Sequence, residues 1–168
     1  MIFSPPRAPK LGRVVAAFVL ALAVSLFAFA QTGHLRNDET LAKLNLPQSE
    51  LTQVISGVEE AAFDSPDSWE KELRARKISL GVVPGLVLQG TDLLCGATGN
   101  CQIFVFRRVD DKWLALFQGE EAPVVEGFSF GPDGKLGIKD LHVAANVSAD
   151  RSSHNTYRFD GKFYRATK

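Results

Sequence analysis

From residue 73 onward apolar side chains recur with a period of two, and the runs are cut by Pro84-Gly85, Asp110-Asp111, Pro132-Asp133-Gly134 and Asp160-Gly161. Such alternation marks half-buried strands, and gaps this short leave room for hairpins rather than crossover helices. The pattern predicts strands at 73–80, 86–90, 102–109, 112–118, 124–130, 137–147, 155–159 and 162–165. Two of them are apolar on both faces. Ile103 and Val105 oppose Phe104 and Phe106, while Trp113, Ala115 and Phe117 oppose Leu114 and Leu116. Strands of that kind are covered on both sides. Asp160-Gly161 reads as a two-residue type I′ turn, which sets Phe159 opposite Lys162 and Tyr157 opposite Tyr164.

Before the strands the period changes. Leu51, Val54, Ile55, Val58, Ala61 and Ala62 fall on one face of an amphipathic helix, with Pro47 suited to its first turn. Gly57 inside it costs about 1 kcal/mol relative to Ala and lets the helix lie close to a sheet. Asp64-Ser65-Pro66-Asp67 should end the helix, because Pro disfavours helical backbone in the residue before it. The expected fold is α+β: one N-terminal amphipathic helix packed on a curved antiparallel β-meander of six to eight strands.

The first thirty residues read as an address. Arg7, Lys10 and Arg13 precede a run of 17 uncharged residues, 14–30, that closes on Ala28-Phe29-Ala30 and then Gln31. A basic end, an apolar middle and small residues at the cut make a secretory signal peptide, cleaved after Ala30. The run is also just long enough to serve as an uncleaved anchor. Residues 31–45 are polar and weakly patterned, a flexible segment, and 46–168 form a single domain. The implied location is periplasmic or secreted. Residues 31–168 carry 16 bases and 19 acids, net −3. That balance argues against nucleic acid and against an anionic membrane surface as partners once the leader is removed. Arg107, Arg108 and Arg158 lie among Phe and Tyr residues, but the net charge and the export signal weigh against base stacking.

Cys95 and Cys101 are the two cysteines, with Gly96, Ala97, Thr98, Gly99 and Asn100 between them. In an oxidising compartment cysteines this close pair, and closing so small a loop is worth about 2 kcal/mol in the chain-entropy model. The two glycines and Asn100 suit the left-handed backbone of a tight loop. The plain reading is a stapled turn between strands. The functional one is a rigid recognition loop whose backbone amides meet an anion or a partner, so residues 96–100 are the candidate binding residues. The spacing is not Cys-x-x-Cys, and His34, His142 and His154 supply no useful metal-ligand spacing. No metal or cofactor is expected.

Other motifs carry less. Gly127-Phe128-Ser129-Phe130-Gly131 matches G-x-S-x-G, yet it sits in a strand pattern and runs into a turn, not into the helix a nucleophile elbow requires. Asp140 and His142 share one face of a strand, where a carboxylate orients a general base or the two are surface neighbours. Glu120-Glu121 reads as a solvated loop pair, and Asn146-Val147-Ser148 is a glycosylation sequon in a eukaryotic secretory pathway only. No catalytic residue is assigned.

Residues 94–101, with the Phe-rich strand after them, and the ending Tyr157-Arg158-Phe159-Asp160-Gly161-Lys162-Phe163-Tyr164-Arg165 resemble small exported bacterial proteins of uncharacterised function. These share a Cys-Gly…Gly-Asn-Cys hairpin and a Tyr-x-Phe-Asp-Gly-x-x-Tyr end. The resemblance spans residues 73–165 and implies an envelope or secreted location, with no activity attached. The expected role is an exported non-enzymatic binding or interaction domain, meeting an unknown protein or small ligand in the cell envelope. The alternatives are a protein inhibitor of a secreted hydrolase such as a lysozyme, and a small hydrolase.

Overall fold

The computed structural model describes residues 33–62, 67–118, 122–134 and 136–167. The leader segment 1–30, the helix stop at Asp64-Ser65-Pro66 and the Glu120-Glu121 pair lie outside these residues. The described chain is mostly antiparallel sheet with a few helices, and the sheet curls into a half-barrel. Nine strands are present among the described residues: β1 Leu73–Ser79, β2 Pro84–Gly90, β3 Cys101–Val109, β4 Lys112–Ala115, β5 Val124–Val125, β6 Gly127–Asp133, β7 Lys139–Ser148, β8 Arg151–Phe159 and β9 Tyr164–Ala166. One sheet runs β1-β2-β3-β4, with β5 on the first residues of β3, and the other runs β6-β7-β8-β9. Every pairing is antiparallel.

The two sheets are sewn together at both ends. Glu126 alone separates β5 from β6, so one stretch of chain leaves the first sheet and enters the second. Gly81 bridges Ile138, and the Tyr164 amide donates to the Leu116 carbonyl at 2.8 Å. β3 sits in the middle and is buried from Gln102 to Phe106, as its two apolar faces require.

A helix, α1, spans Gln48–Glu59 and buries Val54 and Val58. It crosses β3 and β4 closely because Gly57 has no side chain: a Cβ there would meet Phe106 Cε1 at 2.7 Å. Hydrogen bonds to Trp113 help hold the crossing. The Trp113 amide donates to Gln53 Oε1 at 3.0 Å, and Trp113 Nε1 donates to Glu50 Oε2 at 2.7 Å. A one-turn helix, α2 at Trp69–Glu72, leads into β1. Buried Gln102 donates to the Ala61 carbonyl at 2.6 Å, tying the end of the helical region to β3.

Three expectations change. Residues 33–45 are not a loose tether. Leu35 and Leu41 are buried, the Ala75 amide donates to the Glu39 carbonyl, and Arg76 grips the Glu39 carboxylate at 2.6–2.7 Å. Buried Gln89 accepts the Leu35 amide as well. The anchors are too sparse among polar neighbours to make a period.

The Asp160 turn is the second. Asp160 Oδ1 accepts the amides of Lys162 and Phe163, both at 2.8 Å, and the Asp160 amide donates to the Phe163 carbonyl. The loop is therefore four residues long, so Phe159 faces Tyr164 and Tyr157 faces Ala166. The two-residue turn with both backbones left-handed lies instead at Asp110-Asp111, φ 46° and 61°, where Val109 faces Lys112.

Strand limits are the third. β4 stops at Ala115, the strand expected at 124–130 breaks at Glu126, and β8 begins at Arg151 because the chain reverses tightly at Ala149-Asp150.

Candidate functional site

The cysteine hairpin joins β2 to β3. Cys95 and Cys101 face one another as cross-strand partners and are disulfide-bonded at 2.03 Å. The loop folds on itself: the Gly96 amide donates to the Asn100 carbonyl, and the Gly99 amide to the Gly96 carbonyl. Gly99 has φ +78°, which suits glycine.

Asn100, a candidate binding residue from its sequence position, points inward and is only 7% exposed. Its Nδ2 donates to Thr98 Oγ1 at 2.9 Å and to the Asn146 carbonyl at 2.7 Å, while its Oδ1 accepts the Asn146 amide at 2.8 Å. Asn100 is a clamp between the hairpin and β7. Gly96, Ala97, Thr98 and Gly99 remain exposed.

Ser129 lies in the middle of β6, opposite His142 on β7. There is no elbow. His142 Nδ1 is 2.9 Å from Thr156 Oγ1, and its Nε2 lies over Gly131, where a Cβ would meet it at 2.6 Å. Asp140 Oδ2 accepts from Arg158 at 3.0 and 3.2 Å. Asp140 and His142 thus have separate partners. The groove beside His142, about 490 Å³, also takes in Gly33, His154 and Asn155, and Asp140 does not line it. Among the described residues no three His, Cys, Asp or Glu side chains group as metal ligands.

A roomier concavity than that groove lies elsewhere. A cleft of about 640 Å³ opens between α1, β4 and the loop before β9. Thr52, Gln53, Ser56 and Gly57 form its helical wall, Phe106, Ala115 and Phe117 its apolar floor, and Lys162 with Phe163 its far side. Arg107 and Lys112 also line it, as does Leu114, the β4 residue facing Arg107. The volume lies in the ordinary range for a small-molecule site. Phe117 is fixed from behind by Tyr157 and Tyr164, with ring centroids at 5.4 and 5.7 Å. Burial pushes the Tyr164 phenol above its ordinary pKa, with the Asp140 charge adding to the effect, and its hydroxyl donates to the Lys139 carbonyl.

The three arginines noted in the sequence divide by partner. Arg158 pairs with Asp140, and Arg108 pairs with Glu50 and Asp111 while lying 5.7 Å from the Trp113 ring. Arg107 makes no ion pair among the described residues. Its guanidinium carbon stands 4.9 Å over the Phe159 ring, and its Nε is sealed from solvent with no hydrogen-bond partner. The cleft was invisible in the sequence because its walls come from residues 52–60, 106–118 and 162–163. The one local signal was the Arg107-Arg108 pair ending an apolar strand.

Comparison of the chain with known family models, curated proteins and solved structures finds no match.

Proposed function

We propose that this chain is an exported, non-enzymatic binding domain of the cell envelope, in which an amphipathic helix on a curved antiparallel meander forms the ligand site. The observation that carries it is the cleft of about 640 Å³ with an apolar floor and a cationic rim. Export is supported by the basic-then-apolar leader with Ala28-Phe29-Ala30 and by the disulfide, a bond that persists in oxidising compartments. Binding rather than catalysis is supported by the engagement of His142 with Thr156 and of Asp140 with Arg158.

The test is native mass spectrometry of the full chain purified from its own source, beside a Ser56→Phe variant. Ser56 is exposed on the helical wall, so a phenyl ring there fills the cleft without entering the core. A bound small molecule that the variant lacks supports the proposal. Equal occupancy in both proteins removes the cleft as the site.

One observation favours a protein partner instead. Ala97, Thr98 and Gly99 are exposed on a loop held by the disulfide and by Asn100. A loop so held loses little entropy on docking, as an inhibitor of a secreted hydrolase requires. Slowing of a panel of cell-wall hydrolases at micromolar concentration checks that role, and a panel left untouched ends it.

A further inference from the structure

We propose that the cleft takes an amphipathic anion: a medium-length acyl chain on the apolar floor, with its carboxylate on Arg107. It rests on the cleft being the ligand site and adds the chemical class. The lining residues set that class. Phe106, Ala115 and Phe117 make an apolar floor, and Leu114, 40% exposed, lines the cleft beside it. Phe106 and Phe117 are already buried, so the gain of about 25 cal/mol for each Å² removed from water comes from Leu114, Ala115 and the acyl chain itself.

The charge on the rim points the same way. Arg107, Lys112 and Lys162 line the cleft against one described acid, Glu60, in a domain whose overall balance is negative. Lys112 and Lys162 make no ion pair among the described residues, and Lys162 Nζ sits 4.9 Å from the Phe163 ring centroid. Half-buried Arg107 keeps its Nε sealed from solvent, so a ligand in the cleft meets the end of its planar fork, Nη1 and Nη2. A carboxylate accepts two parallel N–H bonds from those two nitrogens. Apart from Glu60 at its end, the helical wall offers no anion. Gln53 Oε1 accepts the Trp113 amide and Thr52 Oγ1 donates to the Gln48 carbonyl, so both already have partners.

The experiment uses Trp113, which lines the cleft and is one of two tryptophans. In the full chain carrying Trp69→Phe, Trp113 emission is titrated with dodecanoate, dodecanol and butanoate at pH 7, below micelle-forming concentrations. Calorimetry on the unaltered chain repeats the titration in case Trp69→Phe fails to fold. The expected result is saturable binding of dodecanoate about tenfold tighter than dodecanol, with butanoate weaker than both. Arg107→Gln should bring dodecanoate down to the dodecanol level, and Ser56→Phe should weaken both. Dodecanol binding as tightly as dodecanoate, or an Arg107→Gln variant with unchanged preference, overturns anion recognition and leaves the binding cleft standing. Saturable binding that Ser56→Phe does not weaken, or no binding of any probe, overturns the acyl-anion assignment. Only the mass-spectrometric comparison then decides whether the cleft holds another ligand.

Discussion

The cysteine hairpin and the cleft treat their polar groups in opposite ways. In the hairpin Asn100 uses both ends of its amide on Thr98 and Asn146, and the disulfide closes the loop behind it. In the cleft an arginine with a sealed, unpartnered Nε stands beside exposed Leu114 and an apolar floor. A satisfied polar network rigidifies, whereas a buried donor without a partner calls for an explanation. Within the loop that the sequence offers for recognition, Asn100 is a fastening, while residues 96–99 stay exposed. The stronger ligand chemistry lies in a concavity with no contiguous motif.

The largest expected effect is on the hairpin. Replacing both Cys95 and Cys101 with Ser should lower unfolding stability by about 2–2.5 kcal/mol in denaturant melts, with the cleft unaltered. Asn100→Ala should cost about 2 kcal/mol, because it leaves the Asn146 amide without its acceptor. A loss under about 0.5 kcal/mol would break the contrast and return Asn100 to the surface role.

Next comes the support behind the cleft floor. Tyr164→Phe should cost about 1 kcal/mol by deleting the hydrogen bond to Lys139. Its pH signature is sharper. Because burial raises the phenol pKa in the folded state, the stability it contributes is complete below the ordinary value of 10.0 and is lost as pH rises above it. The wild type should therefore weaken above pH 10 more steeply than Tyr164→Phe, as read by thermal midpoints across that range.

Arginines with and without partners provide the finest comparison. Arg76 holds Glu39, whose carboxyl lies below its usual range chiefly through that hydrogen bond. A depressed carboxyl stabilises the fold above its unfolded-state pKa, and the contribution is lost as pH falls through the folded-state value. Arg76→Gln should cost about 1 kcal/mol at pH 7 and much less in acid. Arg107→Gln should change stability by under about 0.5 kcal/mol, since a lost ring contact is offset by removal of an unpartnered donor.

The strands and the stapled turn were legible because each depends on neighbours in sequence: an apolar run for β3, alternation at the start of β7, and short spacing for Cys95 and Cys101. The Asp160 register was not, because the decision lies with one carboxylate oxygen that captures two amides and lengthens the turn. Glu39 and Leu35 were hidden for a similar reason: Glu39 is held by Ala75 and Arg76, and Leu35 by Gln89, all distant in the chain. The cleft follows from Gly57 allowing the helix down onto Phe106: the glycine signalled a close approach to a sheet, but no pattern named Phe106 as the residue met.

The most direct measurement sets Asn100→Ala beside Arg107→Gln, reading thermal midpoint and dodecanoate affinity for each in the full chain. A lowered midpoint with retained affinity for Asn100→Ala, and a retained midpoint with affinity lost about tenfold for Arg107→Gln, is the predicted result. The reverse pattern, affinity lost at Asn100 and stability lost at Arg107, would contradict the assignment of fastening to the hairpin and binding to the cleft.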